Sequence, residues 1–302
     1  MAQQQGFKSG FVALVGRPNA GKSTLANAVL GEKMLITSST PQTTRHRIRA
    51  ILNRDDAQLV LVDTPGLHKP YDALGEELNK SALKALDDVD VVAFVLDASK
   101  PFGKGDEWVV NNLSSANAHS LLVITKADLA SADEVAHQIA AAQQAVHFDQ
   151  VVVVSATEGF NVEGFVDAAI AQLPEGPLWF PEDMDTDQSL EVMISEFIRE
   201  KILRSTHDEV PHAIGVQVES IDYDQKRNFY KIYAIIYVER DSQKGIIVGK
   251  GGVKIKEIGT RARKDLSRLL SADIFLDLRV KVKRDWRRDG AQIKRFGYGD
   301  GA

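Results

Sequence analysis

A glycine-rich run near the N-terminus has the residue types and the spacing of a phosphate-binding loop. Gly16 to Ser23 matches the pattern GxxxxGK[ST], follows an apolar run and opens a helical pattern. Glycines let the backbone curl so that successive N–H groups face a phosphate, while the lysine reaches the β and γ phosphates and the serine hydroxyl ligates Mg²⁺. A chance match at a strand-to-helix turn is the weaker alternative. The candidate nucleotide contacts are Gly16, Arg17, Pro18, Asn19, Ala20, Gly21, Lys22, Ser23 and Thr24.

Three further polar sequences stand at the ends of apolar runs, where ligands of open α/β sheets bind. An aspartate in the first can hold Mg²⁺, commonly through water, and the glycine N–H that ends it can meet a γ-phosphate. A plain turn is the alternative for the first two. The three sequences are Asp63-Thr64-Pro65-Gly66, Thr125-Lys126-Ala127-Asp128 and Ser155-Ala156.

The order of these sequences, DxxG, then [NT]KxD, then SA after a phosphate-binding loop, resembles the nucleotide-binding domain of translation-factor-related GTPases. The resemblance implies that Asp128 accepts hydrogen bonds from guanine N1–H and the 2-amino group. It also implies that Lys126 packs along the base and that Ala156 presents its N–H to guanine O6. Thr125 stands where asparagine is usual. Threonine still donates and accepts a hydrogen bond, so we expect retained guanine preference with weaker binding.

The hydroxyl-rich stretch Thr37 to His46 lacks periodicity and predicts a mobile loop in which one threonine closes on Mg²⁺ when a γ-phosphate is present. Similarity to relatives with a TTR sequence favours Thr44, with Thr43 as the alternative. The candidate catalytic residues are Lys22, Thr44, Asp63 and Gly66, and the candidate Mg²⁺ ligands are Ser23, Thr44 and Asp63.

Leu67 occupies a position where many switch GTPases carry a glutamine that orients the attacking water. Leucine cannot do this, so we expect slow intrinsic hydrolysis. Asn19 resembles the asparagine that ligates K⁺ in potassium-stimulated relatives, which adds K⁺ to the expected cofactors GTP or GDP and Mg²⁺. His68 is a candidate base, although a solvated histidine is the stronger interpretation.

The elements that position these residues follow from apolar runs that alternate with amphipathic segments over the first 173 residues. Continuous apolar runs mark strands buried on both faces, so the pattern predicts a doubly wound α/β fold with a mostly parallel sheet. Two short runs flank Asn53 to Asp56, which predicts a hairpin and one antiparallel edge strand. The runs of the parallel strands are Phe11 to Val15, Leu59 to Val62, Val91 to Leu96, Ser120 to Thr125 and Val151 to Ser155.

The composition excludes several kinds of site and divides the charge unevenly. The 302 residues include no cysteine, which excludes disulfides, Cys-ligated zinc, iron–sulfur clusters and a thiol nucleophile. We expect neither a signal peptide nor a membrane span, because no run of about 18 apolar residues occurs. Residues 240–302 hold 17 Lys and Arg against 8 Asp and Glu, whereas residues 1–239 hold 20 against 34. The basic end predicts a polyanion-binding module, with a solvated basic face as the alternative.

A second pattern follows the proline-rich, acidic stretch from Pro174 to Gln188, which predicts a linker. The order α-β-β-α-β contains a GxxG loop that opens a helix, and it resembles a type II KH domain. Such modules clamp about four nucleotides of single-stranded RNA. A second nucleotide-phosphate site is the weaker alternative. The candidate RNA contacts are Gly249, Lys250, Gly251, Gly252, Lys254, Lys256, Arg279, Lys281 and Lys283, and Trp286 and Phe296 are candidates for base stacking.

The whole chain resembles the bacterial Era GTPases, with a nucleotide domain at residues 1–173, a linker at 174–189 and a type II KH domain with a basic tail at 190–302. The resemblance implies binding to the 3′ end of 16S rRNA and a role in maturation of the 30S subunit, as a cytoplasmic monomer with peripheral inner-membrane association as a further location. Two alternatives stay open: a membrane-associated signalling GTPase, and a phosphotransferase that acts on nucleotide or RNA.

Overall fold

The computed structural model describes residues 6–113 and 118–299, which form two compact units. The first unit comprises the chain up to Leu35, Thr44–Tyr71 and Gly75–Asp187, and the second comprises Ile36–Thr43, Asp72–Leu74 and the chain from Gln188. Strands and helices alternate in the N-terminal half, as the apolar runs predict. These elements are β1 (Lys8–Val15), α1 (Lys22–Leu30), β2 (Ile48–Asn53), β3 (Ala57–Asp63), α2 (Ala73–Lys84), β4 (Val91–Asp97), α3 (Lys104–Leu113), β5 (His119–Thr125), α4 (Ala132–Ala145), β6 (Gln150–Val153) and α5 (Val162–Ala171).

The strands of the first unit form one six-stranded sheet in the order β2-β3-β1-β4-β5-β6. β2 pairs antiparallel with β3 and all other neighbours pair in parallel, which confirms the predicted sheet with one antiparallel edge strand. Every residue of β3 and β4 is buried, as expected for strands of a covered parallel sheet. The parallel strands end at one edge of the sheet, so the polar sequences that follow them are brought together there.

Residues 174–187, which the sequence assigns to a linker, lie along the first unit, and we call them the strap. The side-chain oxygen of Gln58, a buried residue of β3, accepts hydrogen bonds from the Trp179 and Phe180 N–H groups at 2.7 and 3.0 Å. Ile51 of the edge strand β2 donates its N–H to the Asp185 carbonyl at 2.9 Å. The strap therefore occupies backbone groups that an edge strand would otherwise leave unpaired.

The second unit has the predicted order α-β-β-α-β with one additional helix before the glycine loop. Its sheet has the order β7-β8-β9, in which β7 and β8 are antiparallel and β8 and β9 are parallel. Across the two described stretches, no helix is both long and apolar enough to span a membrane. The elements are α6 (Leu190–Leu203), β7 (Gly215–Asp224), β8 (Phe229–Val238), α7 (Asp241–Val248), α8 (Val253–Leu269), β9 (Asp273–Val282) and α9 (Gly290–Arg295).

Within the second unit, buried charges of α6 hold the segment Ile36–Thr43. The guanidinium of Arg199, which is fully buried, donates to Glu196 at 2.6 Å and to the Thr43 carbonyl. The buried carboxylate of Glu200 accepts the Thr37 N–H at 3.0 Å. Because a buried charge costs least when hydrogen-bonded partners surround it, these contacts fix the first part of the hydroxyl-rich stretch on the helix.

The aromatic residues near the C-terminus belong to the core of the second unit. Trp286 is fully buried, its ring meets that of Phe296 edge-on with 4.9 Å between centroids, and its indole N–H donates to the Ala213 carbonyl at 2.9 Å. The Phe296 ring also packs against that of Tyr298, with 6.0 Å between centroids and the ring planes tilted by 53°. The prediction that Trp286 and Phe296 stack on RNA bases is therefore wrong, because burying these large rings stabilises the fold.

Replacement of Gln58 by alanine tests the attachment of the strap. The variant leaves two partly buried backbone N–H groups without an acceptor, so we expect a loss of about 1–3 kcal/mol in the free energy of unfolding. Chymotrypsin should also cleave faster after Trp179, whereas Phe180 is protected by the proline that follows it. Urea unfolding and timed proteolysis measure both effects, with Gln150→Ala on the exposed start of β6 as the control. Equal stability and equal cleavage in the two variants would contradict the assignment.

Candidate functional site

The loop between β1 and α1 curls at the edge of the sheet. Asn19 and Gly21 adopt left-handed backbone conformations, with φ of 63° and 98°. A Cβ atom on Gly16 would lie 2.3 Å from the Val95 carbonyl oxygen, so only glycine fits where the loop crosses β4. The turn is closed by the Ala20 N–H, which donates to the Arg17 carbonyl at 3.3 Å. This geometry leads straight into the N-terminus of α1, where backbone amides favour an anion.

Lys22 is the first residue of α1 and is 5% exposed. Its ammonium donates to the carbonyls of Gly16 and Arg17 at 3.1 and 3.0 Å, so the side chain folds back over the loop. Burial lowers the pKa of Lys22 to about 8, although the charge of Asp63 acts to raise it. The loop therefore holds a cation whose charge a bound phosphate would stabilise.

The three candidate Mg²⁺ ligands meet at one point. The Ser23 hydroxyl donates to Asp63 Oδ2 at 2.6 Å and lies 2.9 Å from the Thr44 hydroxyl, which itself donates to Asp63 Oδ2 at 3.2 Å. Thr43 instead donates to the Thr40 carbonyl at 2.6 Å, within its own loop. The described residues contain no group of three His, Cys, Asp or Glu side chains that could hold a metal. One carboxylate with two hydroxyls nevertheless suits Mg²⁺, which binds few protein oxygens and completes its shell with phosphate and water.

The sequence Asp63 to Gly66 packs against the phosphate-binding loop. The Thr64 hydroxyl donates to the Leu14 carbonyl at 2.8 Å, and the Leu67 N–H donates to the Gly16 carbonyl at 3.1 Å. A Cβ on Gly66 would lie 2.6 Å from the backbone of Pro18, so glycine is needed for this approach, and Pro65 beside it is buried. Leu67 is fully buried in the apolar core, where it contacts no solvent.

The base-recognition candidates lie at the ends of β5 and β6. The buried Thr125 hydroxyl lies 2.6 Å from the Ala20 carbonyl and 3.1 Å from the Leu96 carbonyl, so it ties β5 to the loop. The Ser155 hydroxyl donates to the Asp128 carboxylate and so orients it. An open cavity of about 840 Å³ lies beside Thr24 and Ala156, a volume usual for small-molecule sites.

Two acidic residues that were not predicted from the sequence also belong to this region: one contacts the loop and the other contacts Lys126. Asp106 of α3 is 4% exposed and accepts a hydrogen bond from Arg17 at 3.0 Å. Asp97, the last residue of β4, accepts a hydrogen bond from Lys126 at 2.6 Å. Asp97 stands at the carboxyl end of a parallel strand, and that position was a signal available in the sequence. Asp106 gave no such signal, because only the packing of α3 brings it near.

The glycine loop of the second unit joins α7 to α8. Its three glycines have positive φ values of 71°, 61° and 78°, at Gly249, Gly251 and Gly252. A Cβ on Gly251 or Gly252 would meet no atom within 4 Å, so this side of the loop is open to a ligand. Lys250 and Lys256 are exposed beside it, and Lys254 packs against Gly249.

A groove runs from this region between α8 and β9. It has a volume of about 280 Å³, an apolar floor and a basic rim. The helix packs close to the strand at Gly259, where a Cβ would make an ordinary contact with Leu278 at 3.6 Å. The lining residues are Ile255, Lys256, Gly259, Thr260, Arg263, Leu276 and Leu278. Of these residues, only Lys256 was predicted from the sequence, because the packing of α8 against β9 brings the others together.

The predicted RNA contacts on β9 lie elsewhere. Side chains alternate along a strand, so Arg279 and Lys281 point away from the face on which Leu276 and Leu278 line the groove. Arg279 donates to Asp277 at 3.2 Å, and Lys281 lies 3.8 Å from Glu219. Lys283 donates to Gln292 of α9. These three cations therefore lie apart from the glycine loop. Arg279 and Lys281 have acidic partners, and Lys283 has an amide partner.

Comparison with known proteins agrees with this geometry. Residues 11–126 match the model of a family described as 50S ribosome-binding GTPase, and residues 209–287 match the KH domain model. The matched segments contain the phosphate-binding loop and the glycine loop respectively.

Two solved structures are similar over nearly the whole chain. One is the Era protein of Aquifex aeolicus, a single-residue variant bound to GDP and AlF4⁻, with 38% identity, a TM-score of 0.93 and coverage of 97% of this chain and 100% of that chain. The other is an Era protein in complex with MgGDPNP and nucleotides 1506–1542 of 16S ribosomal RNA, with 38% identity, a TM-score of 0.93 and coverage of 97% and 99%. This chain belongs to the Era family of GTPases.

Proposed function

We propose that this chain is a GTP-hydrolysing switch that binds the 3′ end of 16S rRNA and acts in maturation of the 30S subunit. The observation that supports it most is the convergence of Ser23, Thr44 and Asp63 within 2.6–3.2 Å of one another at the end of the phosphate-binding loop. We take the RNA partner from the Era relative whose structure contains both MgGDPNP and 16S rRNA. The proposed nucleotide domain is residues 1–173 with the strap, and the proposed RNA domain is residues 190–302.

In the nucleotide site, backbone N–H groups of the loop and of the first turn of α1 cradle the phosphates, and Lys22 contacts the β and γ phosphates. Ser23, Thr44 and Asp63 hold Mg²⁺, which when bound neutralises charge on the β and γ phosphate oxygens. The Gly66 N–H donates to the γ-phosphate. Buried Leu67 cannot orient water, so the intrinsic rate is slow, and Asn19 is the proposed ligand of an activating K⁺.

In the RNA site, glycines 249, 251 and 252 let the sugar-phosphate backbone approach, and Lys250, Lys254 and Lys256 neutralise it. Bases rest on the apolar floor formed with Leu276 and Leu278. The family description names the 50S subunit, whereas the KH unit and the 16S rRNA complex favour the 30S subunit, which we therefore choose. We further propose a cytoplasmic monomer, with peripheral attachment to the inner membrane as a second location.

Replacement of Asp128 by asparagine tests the base site. An amide cannot accept both hydrogen bonds from guanine, but it can pair with the additional carbonyl of xanthine. We expect Kd for GDP to rise by about 10- to 100-fold and Kd for xanthosine diphosphate to fall, since hydrogen bonds to charged groups contribute about 1.5–3 kcal/mol. Fluorescence titration measures both values. Asp133→Asn, at an exposed position of α4, is the control. An unchanged preference for guanine would remove Asp128 from the site.

The lowered pKa of Lys22 predicts proton uptake on nucleotide binding. With a pKa of about 8 in the free protein, about half of the Lys22 side chains are neutral at pH 8 and about a tenth at pH 7. Phosphates stabilise the ammonium, so binding of GDP should take up about 0.5 proton at pH 8 and about 0.1 at pH 7. Calorimetry in buffers of different ionisation enthalpy measures the uptake, and Lys22→Arg should abolish it. Equal uptake at both pH values would contradict the burial argument.

Replacement of Gly251 by aspartate tests the glycine loop. Aspartate tolerates a left-handed backbone better than most residues, so the fold should survive while the new charge repels phosphate. We expect binding of an RNA with the 3′ end of 16S rRNA to weaken at least tenfold, with affinity for GDP unchanged. Gly290→Asp, at an open position of α9, adds the same charge outside the groove. Equal RNA affinity in both variants would exclude the loop from the RNA site.

A further inference from the structure

Asp97 is a carboxylate at the nucleotide edge of the sheet that none of the recognised motifs includes. It ends β4 and is only 7% exposed. One oxygen, Oδ1, accepts hydrogen bonds from the Ser99 hydroxyl and N–H at 2.6 and 3.0 Å. The other, Oδ2, accepts a hydrogen bond from the Lys126 ammonium at 2.6 Å, with Lys100 farther away at 3.6 Å. Both oxygens are thus committed, so the orientation of the carboxylate is fixed.

The same ammonium of Lys126 also reaches the phosphate-binding loop. It donates to the Asn19 carbonyl at 2.8 Å, and Lys126 itself has a left-handed backbone with φ of 56°. The ammonium therefore bridges the Asp97 carboxylate and a loop carbonyl. The four-carbon stem of the lysine is stretched between the end of β5 and these two acceptors, which removes most of its rotational freedom.

Because position 125 is a threonine, the bond from Lys126 to the loop matters more in this chain. Its hydroxyl lies within reach of the Ala20 and Leu96 carbonyls, at 2.6 and 3.1 Å, but it has one hydrogen and can donate to only one of them. An asparagine at this position would offer two donors. The bond from Lys126 to Asn19 is therefore a second tether between β5 and the loop, and Asp97 holds its donor in place.

The charge state of Asp97 supports the same arrangement. Burial acts to raise its pKa, but the hydrogen bonds from Lys126 and Ser99 and the charge of Lys126 outweigh burial, so the pKa lies below its ordinary value. The group is ionised at neutral pH, and its attraction for the ammonium is charge-assisted.

We propose that Asp97 is a positioning residue that holds the stem of Lys126 where the guanine ring packs and so sets the affinity for the nucleotide. This rests on the proposed guanine-nucleotide function of the site. A lysine that is already immobilised loses little side-chain entropy when the base arrives, whereas a released lysine must be ordered at that moment. Asp97 bonds Lys126 and Ser99 and not the cluster of Ser23, Thr44 and Asp63, so we expect its loss to change the affinity for the nucleotide rather than kcat in the saturated site.

The test compares Asp97→Asn and Asp97→Glu with Asp90→Asn, which alters a carboxylate just before β4, at the far end of that strand. Asp90 accepts a hydrogen bond from the Phe11 N–H at 2.8 Å and is a matched control for stability. We expect Asp97→Asn to raise Kd for GDP about tenfold, in keeping with loss of a charge-assisted bond. Kd for inosine diphosphate, which lacks the 2-amino group read by Asp128, should rise by the same factor. The kcat at saturating GTP should stay within about twofold of the wild type, and Asp97→Glu should restore most of the affinity.

Three results would overturn the proposal: GDP affinity equal to that of the wild type, an effect on GDP that is absent with inosine diphosphate, or an equal loss of affinity in Asp90→Asn. The second result would mean that Asp97 acts through Asp128, and the third that any weakening of β4 has the same effect. Wild-type affinities for GDP and ADP are measured in the same series. Equal affinities there would contradict the proposed function itself, before any variant is compared.

Discussion

The tight turn of the chain between Val15 and Lys22 is the constraint on which the nucleotide site depends. The turn requires left-handed conformations at Asn19 and Gly21 and leaves several loop carbonyls without partners in the sheet. Groups of neighbouring elements donate hydrogen bonds to those carbonyls from outside the loop. The N–H groups of the loop therefore stay directed at the phosphate site before any ligand arrives. Preorganisation of this kind lowers the ordering cost of binding. Thr125, Lys126 and Leu67 donate to the carbonyls of Ala20, Asn19 and Gly16, respectively. Asp106 adds a fourth tether by accepting a hydrogen bond from the Arg17 side chain.

A segment of the second unit directly precedes one of the proposed Mg²⁺ ligands in the sequence. Arg199 and Glu200 of α6 hold the segment Ile36–Thr43, and the next residue, Thr44, joins the cluster of Ser23 and Asp63. One peptide bond therefore separates a segment fixed by buried charges from the hydroxyl proposed to ligate Mg²⁺.

The sequence predicted those features that depend on local pattern, and the structure supplied those that depend on packing. The apolar runs and the GxxxxGK[ST] spacing were sufficient for the sheet and for the loop, because strand burial and glycine conformation are local properties. The face of β9 that bears Arg279 was not predictable in the same way, since the pairing of β9 with α8 decides which alternate side chains line the groove. Trp286 was misassigned because an aromatic residue in a basic segment has the same pattern whether it stacks on a base or fills a core. The strap had no periodicity to indicate that Gln58 would bind it.

The central claim is that the cluster at the end of the loop binds the phosphates of a guanine nucleotide together with Mg²⁺. Titration of the wild-type chain with non-hydrolysable GTP and ATP analogues, each with Mg²⁺ and with a chelator, tests it most directly. The account predicts at least about 100-fold tighter binding of the GTP analogue than of the ATP analogue, since adenine leaves Asp128 unpaired. It also predicts a marked loss of affinity when Mg²⁺ is removed. Comparable affinities for the two nucleotides, or no effect of the chelator, would contradict it.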